Sequence, residues 1–342
     1  MDLLLTRPGL VAPVPVDPSG LAGPTRGQAR GPRWRAASTN RFVPIEVDPT
    51  LVDQRIVEAI AGAPDRAAVT GWAGLRWRGA EYFDGYDSRM QPRPVPIAVG
   101  DRKPLRSREG VELRFGWLLE NDVVAVDGLP VTRPERSVFD DVCRAGSLEQ
   151  AVQIVSMACR SDMVSLDELL SYRCLLGSRQ FTARFTDAIA LSDENLWSPL
   201  EATMLLLWVG RGFRRPLCNR PIFDLAGNHV VTPDLFDPIA GVAGEYDGVV
   251  HSRLRVQRRD VDRDACYRDL DLEVVTMVSD DLRDTSSFER RLASAYRRVA
   301  ERPRRRDWTI DLPDGWIDTS TVSARRALTE ADRRRLSARR LG

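Results

Sequence analysis

Three phrases decide how the C-terminal part of this chain folds: SPLE at 198–201, TPDLFDP at 232–238 and GEYDGVVH at 244–251. Ser198 followed three residues later by Glu201 reads as a helix start, with Pro199 at the first helical position. The helix is expected to run to about Val209 and to end at Gly210-Arg211-Gly212. Two strands follow, near 220–225 and 229–236, joined by Ala226-Gly227-Asn228, a good hairpin turn. A third strand is expected from about Gly241 to Tyr246. Residues 253–270 read as a charged helix, LEVVTMV (272–278) as a buried strand and 285–301 as a closing helix. The order is helix, three strands, helix, strand, helix, which is an α/β C-terminal domain.

This order gathers carboxylates. Glu245 and Asp247 are two apart on one strand, so they face the same side. Asp234 lies toward the end of the adjoining strand, where it meets them, and Glu201 stands at the helix start. His251 follows closely. Hard cations such as Mg²⁺ take clustered oxygen ligands and keep several waters. Such an ion polarises a phosphoryl oxygen and lowers the pKa of a bound water, so phosphodiester hydrolysis is the natural reaction. Structural readings stand beside these. Glu201 is also the third residue of a capping box, Asp234 and Asp237 flank a turn, and Asp247-Gly248 is itself a turn signal. His229 follows a turn and reads as a surface residue.

Outward from this module, the chain of 342 residues is 43% hydrophobic and 29% charged, enough for roughly two domains with real cores. Lysine and arginine together number 50 against 49 acids, and Lys103 is the only lysine. Any mechanism needing a lysine elsewhere is excluded. With only His229 and His251, so is a three-histidine metal site. Five cysteines, none at CxxC spacing, indicate neither a zinc knuckle nor a disulfide framework, and fit a reducing cytoplasm. No apolar run approaches the ~20 residues that span a bilayer, so no membrane partner is expected.

Residues 1–24, rich in proline, read as a flexible arm. Residues 25–192 form the next region. It opens with extended pieces around Trp34 and Arg41–Val47, turning at Ser38-Thr39-Asn40. Arg26, Arg30, Arg33, Arg35 and Arg41 lie in a stretch without acids, a local basic patch suited to nucleic acid. Helical segments at 51–76, broken at Gly62 to Asp65, short strands within 93–133, and helices opened by Ser147/Gln150 and Ser165/Glu168 follow, with another helix over 178–191. Residues 193–302 are the α/β domain. Residues 303–342 are a polar, Arg-rich tail with Trp308 and Trp316 as docking points.

The pattern helix–Glu, strand–Pro-Asp, strand–Glu-x-x resembles the PD-(D/E)xK nucleases and their restriction-endonuclease-like core. The wording SPLE…PDLFDP…GEYDGVVH, followed by RRDVDRD (258–264), is similar to very-short-patch-repair-like endonuclease domains, which often read E-x-D-G-x-x-H before an Arg/Asp-rich helix. Upstream, DVVAVDGLPVTRPERSVFDDVCR (122–144) makes the 25–190 region resemble the winged-helix and helical part of AbiEi-type antitoxin-like proteins. It departs from their usual R-x-x-x-G-x-Y text at Asn40-Arg41-Phe42. The pairing is frequent in actinobacterial proteins. The resemblance implies an α+β, winged-helix-like and helical N-terminal region that binds DNA, and a toxin-like protein partner. It also implies a cytoplasmic, Mg²⁺-dependent DNA endonuclease domain with Asp234 and Glu245 as metal ligands and Glu201 assisting. Asp247 falls where the superfamily places its lysine. Three readings stay open: His251 acts as general base or electrophile; an arginine such as Arg253 or Arg259 supplies positive charge, including phosphate contacts; or the fold is an inactive scaffold serving a DNA-binding antitoxin or repressor.

Overall fold

The computed structural model describes residues 3–64, 66–101, 108–247, 265–301 and 306–341. The chain is mixed α/β and divides into two compact units, Met1–Ala145 with Ser171–Phe185, and Gly146–Leu170 with Thr186–Gly342. No helix among the described residues is long and apolar enough to cross a membrane.

In the first unit, β1 (Trp34–Ser38) and β2 (Arg41–Pro44) form the expected ribbon. Asn40 takes a positive φ of 55° at its turn. A five-stranded sheet is built from β3 (Ala68–Val69), β4 (Val95–Gly100), β5 (Val111–Phe115), β6 (Val123–Val126) and β7 (Leu129–Thr132), in the order β5-β4-β3-β7-β6. The β6–β7 hairpin turns at Asp127-Gly128 with φ of 46° and 81°, the left-handed pair that such two-residue turns need. Helices α1 (Val52–Ala61), α2 (Gly71–Trp77) and α3 (Pro134–Val142) accompany the sheet. The helical reading of 51–76 therefore holds only in part, because β3 interrupts it.

The N-terminal segment, expected as a flexible arm, is tied down within this unit. Val14 and Phe42 exchange backbone hydrogen bonds of 2.8 and 2.9 Å, and the Gln54 amide bonds both the N–H and the C=O of Val11, at 3.0 and 2.9 Å. Arg7 lies over the Trp77 ring and pairs with Asp127 at 2.8 Å. A Gln54 that is only 1% exposed must spend both of its polar groups, and the arm supplies the partners.

The second unit begins earlier than the expected boundary at 192/193. Its α4 (Leu148–Arg160) carries Gln153, which donates to Thr203 Oγ1 at 3.0 Å, and the Ser192 hydroxyl donates to the Val152 carbonyl. Of the two capping boxes read from sequence, Ser165 and Glu168 bond reciprocally, whereas at α4 Ser147 Oγ accepts from Gln150 N but the Gln150 side chain accepts from Gly146 N, one residue ahead of the cap. The division between the units passes within α5 (Leu166–Leu176) and α6 (Thr182–Leu191).

Helix α7 (Pro199–Gly210) then leads into β8 (Leu217–Cys218), β9 (Ile222–Asp224), β10 (His229–Val231), β11 (Leu235–Asp237) and β12 (Val242–Asp247). The single strand expected over 229–236 is two strands in two sheets. Pro233, which cannot donate to a ladder, breaks it. On one side β10 pairs with β9, which also pairs with β14 (Trp308–Thr309). On the other, β11 joins a four-stranded sheet of order β13-β12-β11-β8, where β13 is Glu273–Val278. In that sheet β11 runs antiparallel to both β8 and β12, while β12 and β13 run parallel.

One face of the sheet packs on α7 and on the closing helix Ser286–Ala300. Gly244 sits under Trp208, where a Cβ would stand 2.9 Å from the indole. The other face packs Phe236, Ala243, Tyr267, Leu272 and Trp308. The tail is anchored here at both of its expected docking points: Trp308 is buried, and Trp316 stacks on His229 and meets Phe223 edge-on.

Candidate active site

The register places the acids. Leu235 pairs with Gly244 and with Cys218. One step further out, Asn219 N donates to the Asp234 carbonyl at 2.9 Å, and Asp234 Oδ2 accepts from Tyr246 N at 2.7 Å. Glu245 pairs with Thr276 on β13. Asn219 and Asp234 thus lie one residue beyond β8 and β11, level with Glu245 on β12 and Thr276 on β13. Asp247 follows two residues after Glu245 at the exposed end of β12, on the same face as Glu245.

Glu201 reaches the same end of the sheet from the first turn of α7. Ser198 Oγ accepts from Glu201 N at 3.2 Å, as its capping role requires. The Glu201 carboxylate departs from the textual capping box, because it accepts from Trp197 N at 2.8 Å, one residue ahead of the cap. The same oxygen accepts from Asn219 Nδ2 at 2.7 Å. Asn219 in turn donates to the Asn195 carbonyl, while Asn195 Nδ2 donates to the carbonyls of Cys218 and Asn219. Glu201 is 6% exposed. Its burial, with the Asp234 carboxylate beside it, pushes its pKa up to about 7, against the hydrogen bonds from Trp197, Asn219 and Ser198 that pull the other way. Glu201 is thus a carboxyl group poised to hold or release a proton near neutrality.

Glu245 is 8% exposed and accepts a hydrogen bond from the Tyr267 hydroxyl. Tyr267 and Asn219 are the residues that sequence reading missed. Asn219 shows only as a turn residue, with φ of 46°, and Tyr267 lies in no motif. Among the described residues, no three His, Cys, Asp or Glu side chains group as a metal-ligand set. His251, Arg253 and Arg259 lie outside the described residues.

The basic stretch belongs to the first unit. Arg26, Arg30 and Arg33 are exposed and Arg41 is half-buried. Arg35 is held within the fold: its guanidinium forms a two-pronged pair with Glu58 at 2.6 and 2.7 Å and donates to the Val47 carbonyl. The bond to Glu58 raises its pKa further.

No family model and no curated protein matches the sequence. Among solved structures the chain is similar to the RV2827C protein from Mycobacterium tuberculosis, at 16% identity and a TM-score of 0.32. The match covers 51% of this chain and 64% of the other, under two thirds of that protein's length, and it is too slight to carry an argument about this one.

Proposed function

We propose that the second unit is a PD-(D/E)xK-type module that hydrolyses DNA phosphodiester bonds, with the first unit contributing DNA contacts through Arg26, Arg30, Arg33 and Arg41. The observation that carries this reading is the position of Asp234 at the entry to β11, its carboxylate bonded to the β12 backbone next to Glu245, with Glu201 entering from the start of α7. The restriction-endonuclease-like reading is supported by the order α7, three antiparallel strands, a crossover and a parallel fourth strand.

Asp234 and Glu245 would hold a hard divalent cation such as Mg²⁺. Their carboxylate oxygens suit it, and such an ion completes its shell with water when protein offers only one or two carboxylates. Bound there, it would polarise a phosphoryl oxygen and acidify a water. Asn219 and the Trp197 N–H orient the Glu201 carboxyl, whose proton exchanges near neutral pH, and Tyr267 fixes the rotamer of Glu245. Purified protein incubated with plasmid and Mg²⁺ or Mn²⁺ should nick or cut it, and Asp234→Ala and Glu245→Ala should abolish the activity. Cleavage unchanged in both variants overturns the proposal.

A second reading, a DNA-binding protein that keeps the fold as a scaffold, is favoured by one observation. The module carries no lysine, and Asp247 stands where such enzymes place theirs. DNA affinity that falls steeply with salt, with no cleavage under any divalent metal, would select it.

A further inference from the structure

The closing helix Ser286–Ala300 shows two different faces. Phe288, Leu292, Ala295 and Val299 are buried against the sheet. Ser287, Arg290, Arg291, Ser294 and Arg298 recur at intervals of three and four, so they form one stripe along the helix. That stripe lines an open groove of about 610 Å³ beside Val274, Val275 and Thr276 of β13, the edge strand of the four-stranded sheet. From Ser287 to Arg298 it extends about 16 Å along the helix axis. Every helical side chain lining it is a hydrogen-bond donor, and none is a carboxylate.

The charges are arranged as a track. Arg291 pairs with Asp281 and donates to the Thr276 carbonyl at 3.0 Å, so its guanidinium is fixed against the strand. Arg298 pairs with Glu273 at the other end. Next to Arg291 and toward the start of the helix, Arg290 donates to the hydroxyls of Ser286 and Ser287, and all three arginines remain exposed. A guanidinium already oriented by a neighbour loses less freedom when it takes a phosphate, and guanidinium with hydroxyl donors is the donor set that phosphate oxygens attract. Thr276, which closes the groove, is exposed and in register with Glu245. The track thus reaches the edge strand at the register position paired with Glu245.

We infer that this groove holds the sugar-phosphate backbone of DNA flanking the bond presented to Asp234 and Glu245, with Arg290 and Arg298 as phosphate contacts. The inference rests on the nuclease-module reading and adds a binding surface in the second unit, apart from the basic stretch at 26–41.

The test is binding of a fluorescein-labelled DNA duplex to the full chain in EDTA, followed by anisotropy from about 50 to about 200 mM salt. The double variant Arg290→Gln/Arg298→Gln is compared with Arg290→Lys/Arg298→Lys, which keeps the charge. The glutamine pair should reduce the slope of log affinity against log salt by about 2, one for each lost phosphate contact, and weaken binding near 100 mM salt by roughly tenfold per guanidinium. The lysine pair should keep the wild-type slope. A glutamine pair that binds like wild type overturns the groove and leaves the nuclease reading in place. A lysine pair that loses as much as the glutamine pair also overturns it, because packing rather than charge is then responsible. Wild-type protein that binds no duplex at low salt overturns both.

Discussion

Replacing Glu201 by glutamine removes a charge that the fold holds in a poor place for charge. The carboxyl is 6% exposed and lies beside Asp234, and its pKa is raised from 4.5 to about 7. That shift corresponds to about 3 kcal/mol of preference for the protonated form in the folded state. The sign follows from proton binding. Below pH 4.5 the group is protonated in both folded and unfolded chains, and the full contribution is present. As pH rises through about 7, the folded protein must ionise it, and that contribution is lost. Glutamine keeps an oxygen for Trp197 N and Asn219 Nδ2 and presents its amide toward the Asp234 charge, without ever ionising. Glu201→Gln should therefore match wild type near pH 4.5 and exceed it above pH 7, with a difference between those limits of about 3 kcal/mol. Urea unfolding followed by tryptophan fluorescence across that pH range measures it. Parallel stability curves for the two proteins would refute the argument, because they would mean that Glu201 ionises in the fold as readily as in the unfolded chain.

Two further substitutions probe the frame around the site. Gly244→Ala sets a Cβ 2.9 Å from the Trp208 ring in a packed core and should cost about 1–3 kcal/mol, read as a lowered urea midpoint; an unchanged midpoint would mean that α7 is free to move away. Tyr267→Phe keeps the ring but removes its donor to the buried Glu245 carboxylate, which should cost about 1–3 kcal/mol in the same assay and slow plasmid cleavage. Stability equal to wild type would show that the hydroxyl does not hold Glu245.

Much of the second unit is legible in the text because its signals are local. Ser198-Pro199 begins α7 because the hydroxyl, the ring and the first free N–H groups lie within one turn. The strand LEVVTMV and the closing helix appear within one or two residues of their expected limits. Asp127-Gly128 makes its hairpin turn for an equally local reason. The segment 229–236 was legible only in part. Its apolar alternation continues past Pro233, and periodicity alone does not show that a missing N–H sends its two halves to different sheets. The arm at 3–24 looked loose because its prolines form no periodic pattern, yet Gln54, some forty residues further on, needs two partners and finds them in Val11. The second unit also takes in α4, which bonds to Thr203 of α7, a contact between segments some fifty residues apart that local signals do not carry.

The sequence by itself determined which residues are available: the acids Glu201, Asp234, Glu245 and Asp247, two histidines, one lysine far upstream, and the caps and turns that punctuate the chain. Those are properties of composition and of neighbours a few bonds apart. Only the tertiary structure decided that Asp234 bonds the β12 backbone beside Glu245, that Asn219 reaches Glu201, that Tyr267 holds Glu245, and that Glu201 keeps its proton up to about pH 7. Strand register, desolvation and the repulsion between two carboxylates depend on distances through space between segments far apart in the chain, and those distances exist only once the sheet has formed.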